Sequence, residues 1–104
     1  MYVDAKVDVS KALVSTTGFT NTDRLYFGIR GTLSMPFDGS MDEVRIYNKA
    51  LSQTELLTDM AATVTSSTDN LTAAWNFEEG SGTLAADIKG VCPATLTGSP
   101  AWST

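Results

Sequence analysis

The sequence predicts a small all-β fold, a short antiparallel β-sandwich with one brief helix. Segments in which apolar and polar residues alternate recur along the chain, and turn-forming Gly, Pro, Asn and Asp residues separate them. One stretch alone carries the capping signal of a helix. At 104 residues, the chain has the size of a single domain.

The first half of the chain holds three segments with a strand pattern. Residues 1–9 alternate apolar with polar or charged side chains, and residues 24–31 alternate Leu, Phe and Ile with Tyr, Gly and Arg. The turn-rich connector SMPFDGS follows, because proline lacks the donor of a central strand and Asp-Gly favours a reversal. The stretch EVRIYN then predicts a third strand with Val44 and Ile46 on its apolar face.

A short helix is predicted directly after this third strand. The Ser52 side chain can accept a hydrogen bond from the first turn, and Glu55, three residues later, can reach back to the Ser52 amide. Leu51 precedes this capping box and can pack on Leu56 as a hydrophobic staple. Residues 41–57 therefore read as a structural seam of strand, corner and helical turn.

The second half begins with a break in the pattern. Residues 58–70 are small and polar, which predicts a linker or a long surface loop. Residues 71–82 return to strand alternation, with Trp75 and Phe77 on one face. The last eleven residues, ATLTGSPAWST, favour one or two short strands, with Trp102 as a packing anchor.

Composition and charge exclude several function classes. The net charge of -5 argues against a basic patch for nucleic acid or anionic membrane. No apolar run approaches the roughly 20 residues of a membrane span, so we expect no membrane insertion. The chain has no His and one Cys, which excludes the usual zinc and thiol-protease sites. We expect Cys92 to pack as a small hydrophobic residue, with an intermolecular disulfide as the alternative.

We also expect no enzymatic activity. Most acid–base and nucleophilic enzymes use imidazole near neutral pH, and this chain has no histidine. The remaining carboxylate pair, Glu78 and Glu79, is adjacent in sequence. In a strand the two side chains would point to opposite faces and could not flank one bond.

Two stretches carry a family resemblance. FDGSMDEVRIYNKALSQTEL resembles the closing strand and helical turn of laminin-G-like domains, which are jelly rolls of the concanavalin-A-like lectin and glucanase superfamily. LTAAWNFEEGSGTLAADIKG, continuing into ATLTGSPAWS, is similar to the opening of such a domain. A YVD-type hairpin strand at Tyr2 to Asp4 fits the same family.

The order of the two stretches is inverted relative to the family, and the family's long middle is missing. The resemblance divides the chain into a closing half, 1–57, a linker or loop, 58–70, and an opening half, 71–104. We expect the halves to form one compact jelly-roll-like sandwich that is permuted, truncated or completed by strand exchange, with Trp75 and Phe77 packed near the closing strand. The alternative is a fragment that spans two tandem domains.

The resemblance implies a non-catalytic module of a secreted or cell-surface protein that binds carbohydrate or mediates adhesion. The partner would be a glycan or a surface protein. Exposed aromatic rings could stack on sugars, and the candidates are Tyr2, Tyr26, Tyr47 and Trp102. The alternative is a structural unit without a small-molecule ligand, a tandem-repeat spacer or a self-associating, strand-exchanged oligomer or filament.

The resemblance also implies a structural calcium ion between the opening and closing strands. Calcium needs several oxygen ligands that converge from different segments. The matching carboxylates are Asp42, Glu79 and Asp87, although Lys89 places an unfavourable positive charge nearby. The alternative assigns these three carboxylates to solvated corners of the fold.

Overall fold

The computed structural model describes residues 1–10, 22–30 and 34–103. The regular elements of the described residues are short antiparallel strands and one short helix, and this confirms the prediction of a small all-β fold. None of its helices is long and apolar enough to cross a membrane. The elements in chain order are β1 (Tyr2–Val3), β2 (Lys6–Val7), β3 (Val44–Tyr47), α1 (Gln53–Met60), β4 (Leu71–Trp75), β5 (Leu84–Ala85) and β6 (Ala94–Thr95).

The strands of the described residues pair into three antiparallel sheets of two strands each, β1 with β2, β3 with β4 and β5 with β6. The pairing of β3 with β4 joins the segment that resembles a domain ending to the segment that resembles a beginning. Its register runs from Val44 opposite Trp75 to Tyr47 opposite Leu71, with an irregularity between Ile46 and Tyr47.

Strand β4 is buried on both faces, and the irregularity explains how. Alternation places Ala73 and Trp75 on one face and Ala74 on the other. The register shift leaves Thr72 exposed and moves Leu71 to the face of Ala74. The first face packs with Ala85 and partly buried neighbours that include Val44, Ile46 and Phe77, as predicted, and the second face packs with Val64, Tyr47 and Ile88.

Helix α1 starts at the predicted capping box, which is confirmed. The Glu55 amide donates to the Ser52 hydroxyl at 3.3 Å, and the Ser52 amide donates to the Glu55 carboxylate at 2.8 Å. The contact between Leu51 and Leu56 stays a prediction. The helix continues to Met60, so the first three residues of the segment predicted as a linker are helical.

The N-terminal segment differs from the single strand that its alternation predicts, and it confirms the hairpin strand that the family resemblance implies at Tyr2 to Asp4. Residues 1–9 form a tight hairpin of β1 and β2 rather than one strand, because Asp4 and Ala5 turn the chain with φ values of 49° and 55°. Two consecutive positive φ values are the geometry of a type I′ turn, for which alanine is an unusual residue. The hairpin leaves its valines exposed, Val3 by 53%, Val7 by 58% and Val9 by 54%.

Residues 24–30 also depart from the predicted strand. Their backbone bends at residues 27–29 and forms one isolated bridge, from Arg30 to Ser34. Gly28 has a φ of 72°, which interrupts an extended backbone. Phe27 still reaches the core, where its ring meets that of Trp75 edge to face at 5.0 Å between centroids. Gly31, the predicted end of this strand, lies outside the described residues.

The C-terminal segment packs on the β4 core. Trp102 is partly buried there, with its ring centroid 6.5 Å from that of Phe77, which confirms it as a packing anchor. Cys92 is exposed, so the expectation that it packs as a small hydrophobic residue is wrong. Its carbonyl accepts a 3.0 Å hydrogen bond from the Trp75 indole, which shows that this loop contributes backbone rather than side chain to the core.

Candidate functional site

An open groove of about 430 Å³ lies beside helix α1, next to the ends of β3 and β4. We call it the α1 groove. One wall is the helix, the second is the chain that leaves β3 through Tyr47 and Lys49, and the third is the loop that enters β4 at residues 68–70. Most of its lining residues have polar side chains, but apolar atoms make up the larger part of the exposed lining surface, with Leu51, Ala62 and the ring of Tyr47 among them.

The helical wall follows from the spacing of its residues. Thr54 and Thr58 are four residues apart, as are Glu55 and Asp59, so each pair is stacked on the same side of the helix. The Thr58 hydroxyl donates to the Thr54 carbonyl at 3.0 Å, which leaves its lone pairs available to a ligand. The wall therefore presents hydroxyl and carboxylate oxygens to the groove.

The Tyr47 side chain is fixed by the helix. Its hydroxyl donates to the Asp59 carboxylate, and its ring is half-buried between the groove and the core. Burial and the bond to Asp59 both raise the pKa of Tyr47 above its ordinary value. The groove thus contains a neutral aromatic ring whose orientation is set before any ligand arrives.

Arg45, on strand β3, anchors the C-terminal end of the same helix. Its guanidinium donates to the Asp59 carbonyl at 2.6 Å and to the Ala62 carbonyl at 3.3 Å, and it pairs with the Glu43 carboxylate at 2.7 Å and the Asp59 carboxylate at 2.9 Å. Burial alone would lower the pKa of Arg45, but the hydrogen bonds and charges of Glu43 and Asp59 raise it. Because α1 has no basic residue in its last turn, Arg45 supplies the cation that a helix C-terminus favours.

The loop wall is tied directly to the corner after β3. The Asn48 amide donates to the Asn70 carbonyl at 2.9 Å, and Asn70 has a φ of 59°, a conformation that asparagine tolerates better than most residues. Asp69 and Asn70 are both exposed. Within the described residues, the Asp69 carboxylate and the Asn70 amide group have no hydrogen-bond partner.

The groove carries more negative than positive charge. Its lining includes three acidic residues, Glu55, Asp59 and Asp69, and one basic residue, Lys49. Lys49 pairs with Glu55, and this contact together with the capping bonds of Ser52 lowers the pKa of Glu55 to about 2. Since Asp59 is engaged by Tyr47 and Arg45, Asp69 is the groove carboxylate without a partner among the described residues.

The four predicted sugar-stacking residues are not brought together at this groove. Tyr47 lines it, whereas Tyr2, Tyr26 and Trp102 do not. Tyr2 and Tyr26 are 38% and 39% exposed and remain candidates at other surfaces. Trp102 donates its indole hydrogen to the Gly82 carbonyl at 2.8 Å and packs on Phe77, so its polar group is already used.

The three predicted calcium ligands are engaged separately. Asp42 accepts from the Glu43 amide at 2.8 Å, and Glu79 accepts from the Ala86 amide at 2.7 Å. Burial alone would raise the pKa of Asp87, but hydrogen bonds from four backbone amides lower it to about 2. Within the described residues, no group of three or more His, Cys, Asp or Glu side chains is placed to hold a metal ion.

Sequence reasoning missed the loop wall of the groove. Thr68, Asp69 and Asn70 lie in the segment predicted as a linker, where small polar residues suggested no site. The available signal was the polar Asp-Asn pair immediately before an alternating strand, which a hairpin-like pairing of β3 and β4 places opposite Asn48. The Asp-Asn pair can be recognised as part of a groove only once β3 is known to pair with β4.

A family model of the concanavalin A-like lectin/glucanases superfamily, of the laminin-G type, matches residues 1–57, which is more than half of the chain. No curated protein and no solved structure matches significantly. Laminin-G-like domains are generally non-catalytic, often occur in extracellular proteins and suggest lectin-like or adhesive modules. With strand β3 and the capped start of α1 inside the matched region, the chain belongs to the concanavalin A-like lectin/glucanase superfamily.

Proposed function

We propose that this chain is a non-catalytic, carbohydrate-binding module of a secreted or cell-surface protein, and that it binds its glycan in the α1 groove. The observation that carries the proposal is the combination of a fixed aromatic ring, Tyr47, with the carboxylate of Asp69 and the amide group of Asn70, which have no partner in the part of the chain that the structure describes. An apolar surface beside a few convergent polar groups is typical of small-ligand sites.

The chemistry of these groups suits a sugar. An aromatic side chain offers an apolar face with a polar edge, against which a saccharide ring can pack. A carboxylate accepts hydrogen bonds from two neighbouring hydroxyls, and an amide both donates and accepts. The hydroxyls of Thr54 and Thr58 extend the polar wall along the helix. The groove can therefore bind one or two sugar units along α1.

The charge of the groove indicates which sugars it accepts. Three carboxylates face one ammonium group there, so a sulfate or uronate group would meet net repulsion. The whole chain also carries a net charge of -5. We therefore propose neutral saccharides as the ligand class.

The experiment is a titration of the isotope-labelled chain with neutral oligosaccharides and, separately, with sulfated and uronate-containing ones, followed by amide chemical shifts. We expect the neutral series to shift the amides of Tyr47, Asp69 and Asn70. Asp69→Ala should weaken binding at least about tenfold, since a hydrogen bond to a charged group contributes about 1.5–3 kcal/mol.

Two variants serve as controls. Asp8→Ala removes an exposed carboxylate of the hairpin that does not line the groove, and it should leave the affinity unchanged. Tyr47→Phe keeps the ring but removes the hydroxyl that holds it against Asp59, so binding should persist with an affinity between those of wild type and Asp69→Ala. Failure of every neutral saccharide to bind, or equal loss of affinity in Asp8→Ala and Asp69→Ala, would refute the proposed function.

A specific observation favours the assembly unit as a second candidate. Fourteen large apolar residues of the described chain are exposed, whereas only seven apolar residues are buried. In addition, β3 pairs only with β4, so its other edge is open within the described residues. Exposed apolar surface and open edges both invite pairing with another copy.

Light scattering over a concentration series separates the two candidates. A constant monomer mass together with saccharide binding favours the binding module. Mass that grows with concentration, without saccharide binding, favours the assembly unit.

A further inference from the structure

The Asp87 carboxylate is the hub of the loop that follows β5. The residue is only 6% exposed. One carboxylate oxygen accepts from the amides of Ala74 and Lys89, and the other accepts from the amides of Val91 and Cys92, each at 3.0 Å. A single side chain therefore fastens a loop of the opening half to the central strand β4.

The bond to Ala74 also closes an edge of the sheet. The Ala74 carbonyl accepts from the Ile88 amide at 2.8 Å, while its amide donates to Asp87. Both backbone groups of Ala74 thus point away from β3 and are satisfied by the loop, as a neighbouring strand would satisfy them. The carboxylate takes the place of a strand carbonyl at this edge.

The arrangement does not fit a calcium ion. An ionised carboxylate offers about four acceptor positions, and Asp87 uses them on four amides. A cation at Asp87 would displace amide donors and face their partial positive charges. Calcium also requires six to eight oxygen ligands, and the other two expected carboxylates each already accept a hydrogen bond from a backbone amide, Asp42 from Glu43 and Glu79 from Ala86; the described residues contain no group of three or more such side chains placed to hold a metal ion.

We infer that the Asp87 carboxylate itself fastens the loop after β5 to β4, at the position where the family resemblance implies calcium. The fold of this chain therefore does not depend on the ion. The inference concerns stability and does not rest on the proposed glycan site.

The test is the melting temperature, Tm, of the wild-type chain in excess EDTA and in excess calcium chloride. We expect no measurable difference. A structural ion at a hundred times its dissociation constant would raise the Tm of a domain this small by roughly 10 °C or more. Any calcium-dependent rise in the wild-type Tm overturns the inference.

Two variants, one at Asp87 and one at Glu79, test the role of the carboxylates. Asp87→Asn replaces one acceptor oxygen with an amide donor that opposes two backbone N–H groups, and it should lower the Tm equally in EDTA and calcium. Glu79→Gln keeps its acceptor for Ala86 and should melt close to wild type in both solutions. If Asp87→Asn melts at the wild-type temperature, Asp87 does not fasten the loop and the inference is wrong. If Asp87→Asn does not fold, the wild-type measurement still decides.

Discussion

The paired strands β3 and β4, here called the β3–β4 seam, and the N-terminal hairpin are both short antiparallel pairs that contain valine, alanine and aromatic residues. They differ in how they are stabilised. The seam is covered on both faces, and Arg45 and Asp87 tie it to a helix and a loop. In the hairpin, Ala5 is buried while Val3, Val7 and Val9 are about half exposed or more.

Alternation of apolar and polar residues alone therefore does not stabilise a strand pair. An isolated two-stranded hairpin is marginal in water, and a pair becomes stable when other elements cover it. The seam meets this condition because its sequence neighbours, the capped helix and the Asp87 loop, return to it. We therefore expect the free energy of unfolding to depend on the seam and hardly at all on the hairpin valines.

The largest effect should come from Trp75→Ala. Trp75 is nearly buried, contacts Phe27 and donates to the Cys92 carbonyl. Its truncation should cost about 3–5 kcal/mol, which is a large part of the stability of a small domain. Urea denaturation followed by circular dichroism measures the loss. Leu25→Ala, at a residue that is 65% exposed, is the matched control and should change stability little. Equal losses in both variants would contradict the comparison.

Arg45→Met should have the next largest effect, about 2 kcal/mol, because it leaves Glu43, Asp59 and the last carbonyls of α1 without their cation. This value is reduced from that of a fully buried pair because Glu43 is partly solvated. Lys49→Met breaks the exposed pair with Glu55 and should cause no measurable change in urea denaturation. A Lys49 effect as large as that of Arg45 would show that charge alone, rather than the tie to the helix, matters.

The pH dependence of stability sharpens the role of Asp87. Its folded pKa of about 2 lies below its ordinary value, so the folded state prefers the ionised form. This stabilisation is fully present above about pH 5 and is lost as the pH falls from about 4 to about 2, by at most roughly 2–3 kcal/mol. Urea midpoints between pH 6 and pH 2 should fall less in Asp87→Asn than in wild type. Parallel curves would mean that other carboxylates account for the loss.

The smallest effect is expected in the hairpin. Val7→Thr keeps the β-branched shape, and because Val7 is 58% exposed, the change should stay within about 0.5 kcal/mol. Urea denaturation again measures it. A loss above 1.5 kcal/mol, as at a buried position, would place the hairpin inside the core and remove the contrast on which the comparison depends.

The sequence predicted residues 41–57 well because the signals for the strand and for the helix start are local and agree with one another. Ser52 and Glu55 lie three residues apart, which only a helix start uses in this way, and Val44 and Ile46 alternate with charged residues. The packing of Trp75 and Phe77 near this strand followed from the family resemblance and is confirmed.

The hairpin, the bends at residues 24–30 and the groove were not predictable in the same way. Alanine seldom adopts a positive φ, so the residues of the turn at Asp4 and Ala5 give no local signal, and only the family resemblance indicates a hairpin strand there. The groove depends on a long-range bond between Asn48 and Asn70, which the composition of residues 58–70 does not reveal. The residues that form this wall became identifiable only from the pairing of β3 with β4.

The pairing of β3 with β4 within one chain underlies both the core and the α1 groove. Because Ala74 directs its amide and carbonyl to the loop, Arg45 and Ala74 form a pair without mutual hydrogen bonds, in which the two α-carbons approach closely. The most direct test is the nuclear Overhauser contact between the α-protons of Arg45 and Ala74, measured in uniformly labelled chain and in a mixture of labelled and unlabelled chains. The account predicts a strong contact within one chain, and absence of the contact, or its appearance only between different copies, would contradict it.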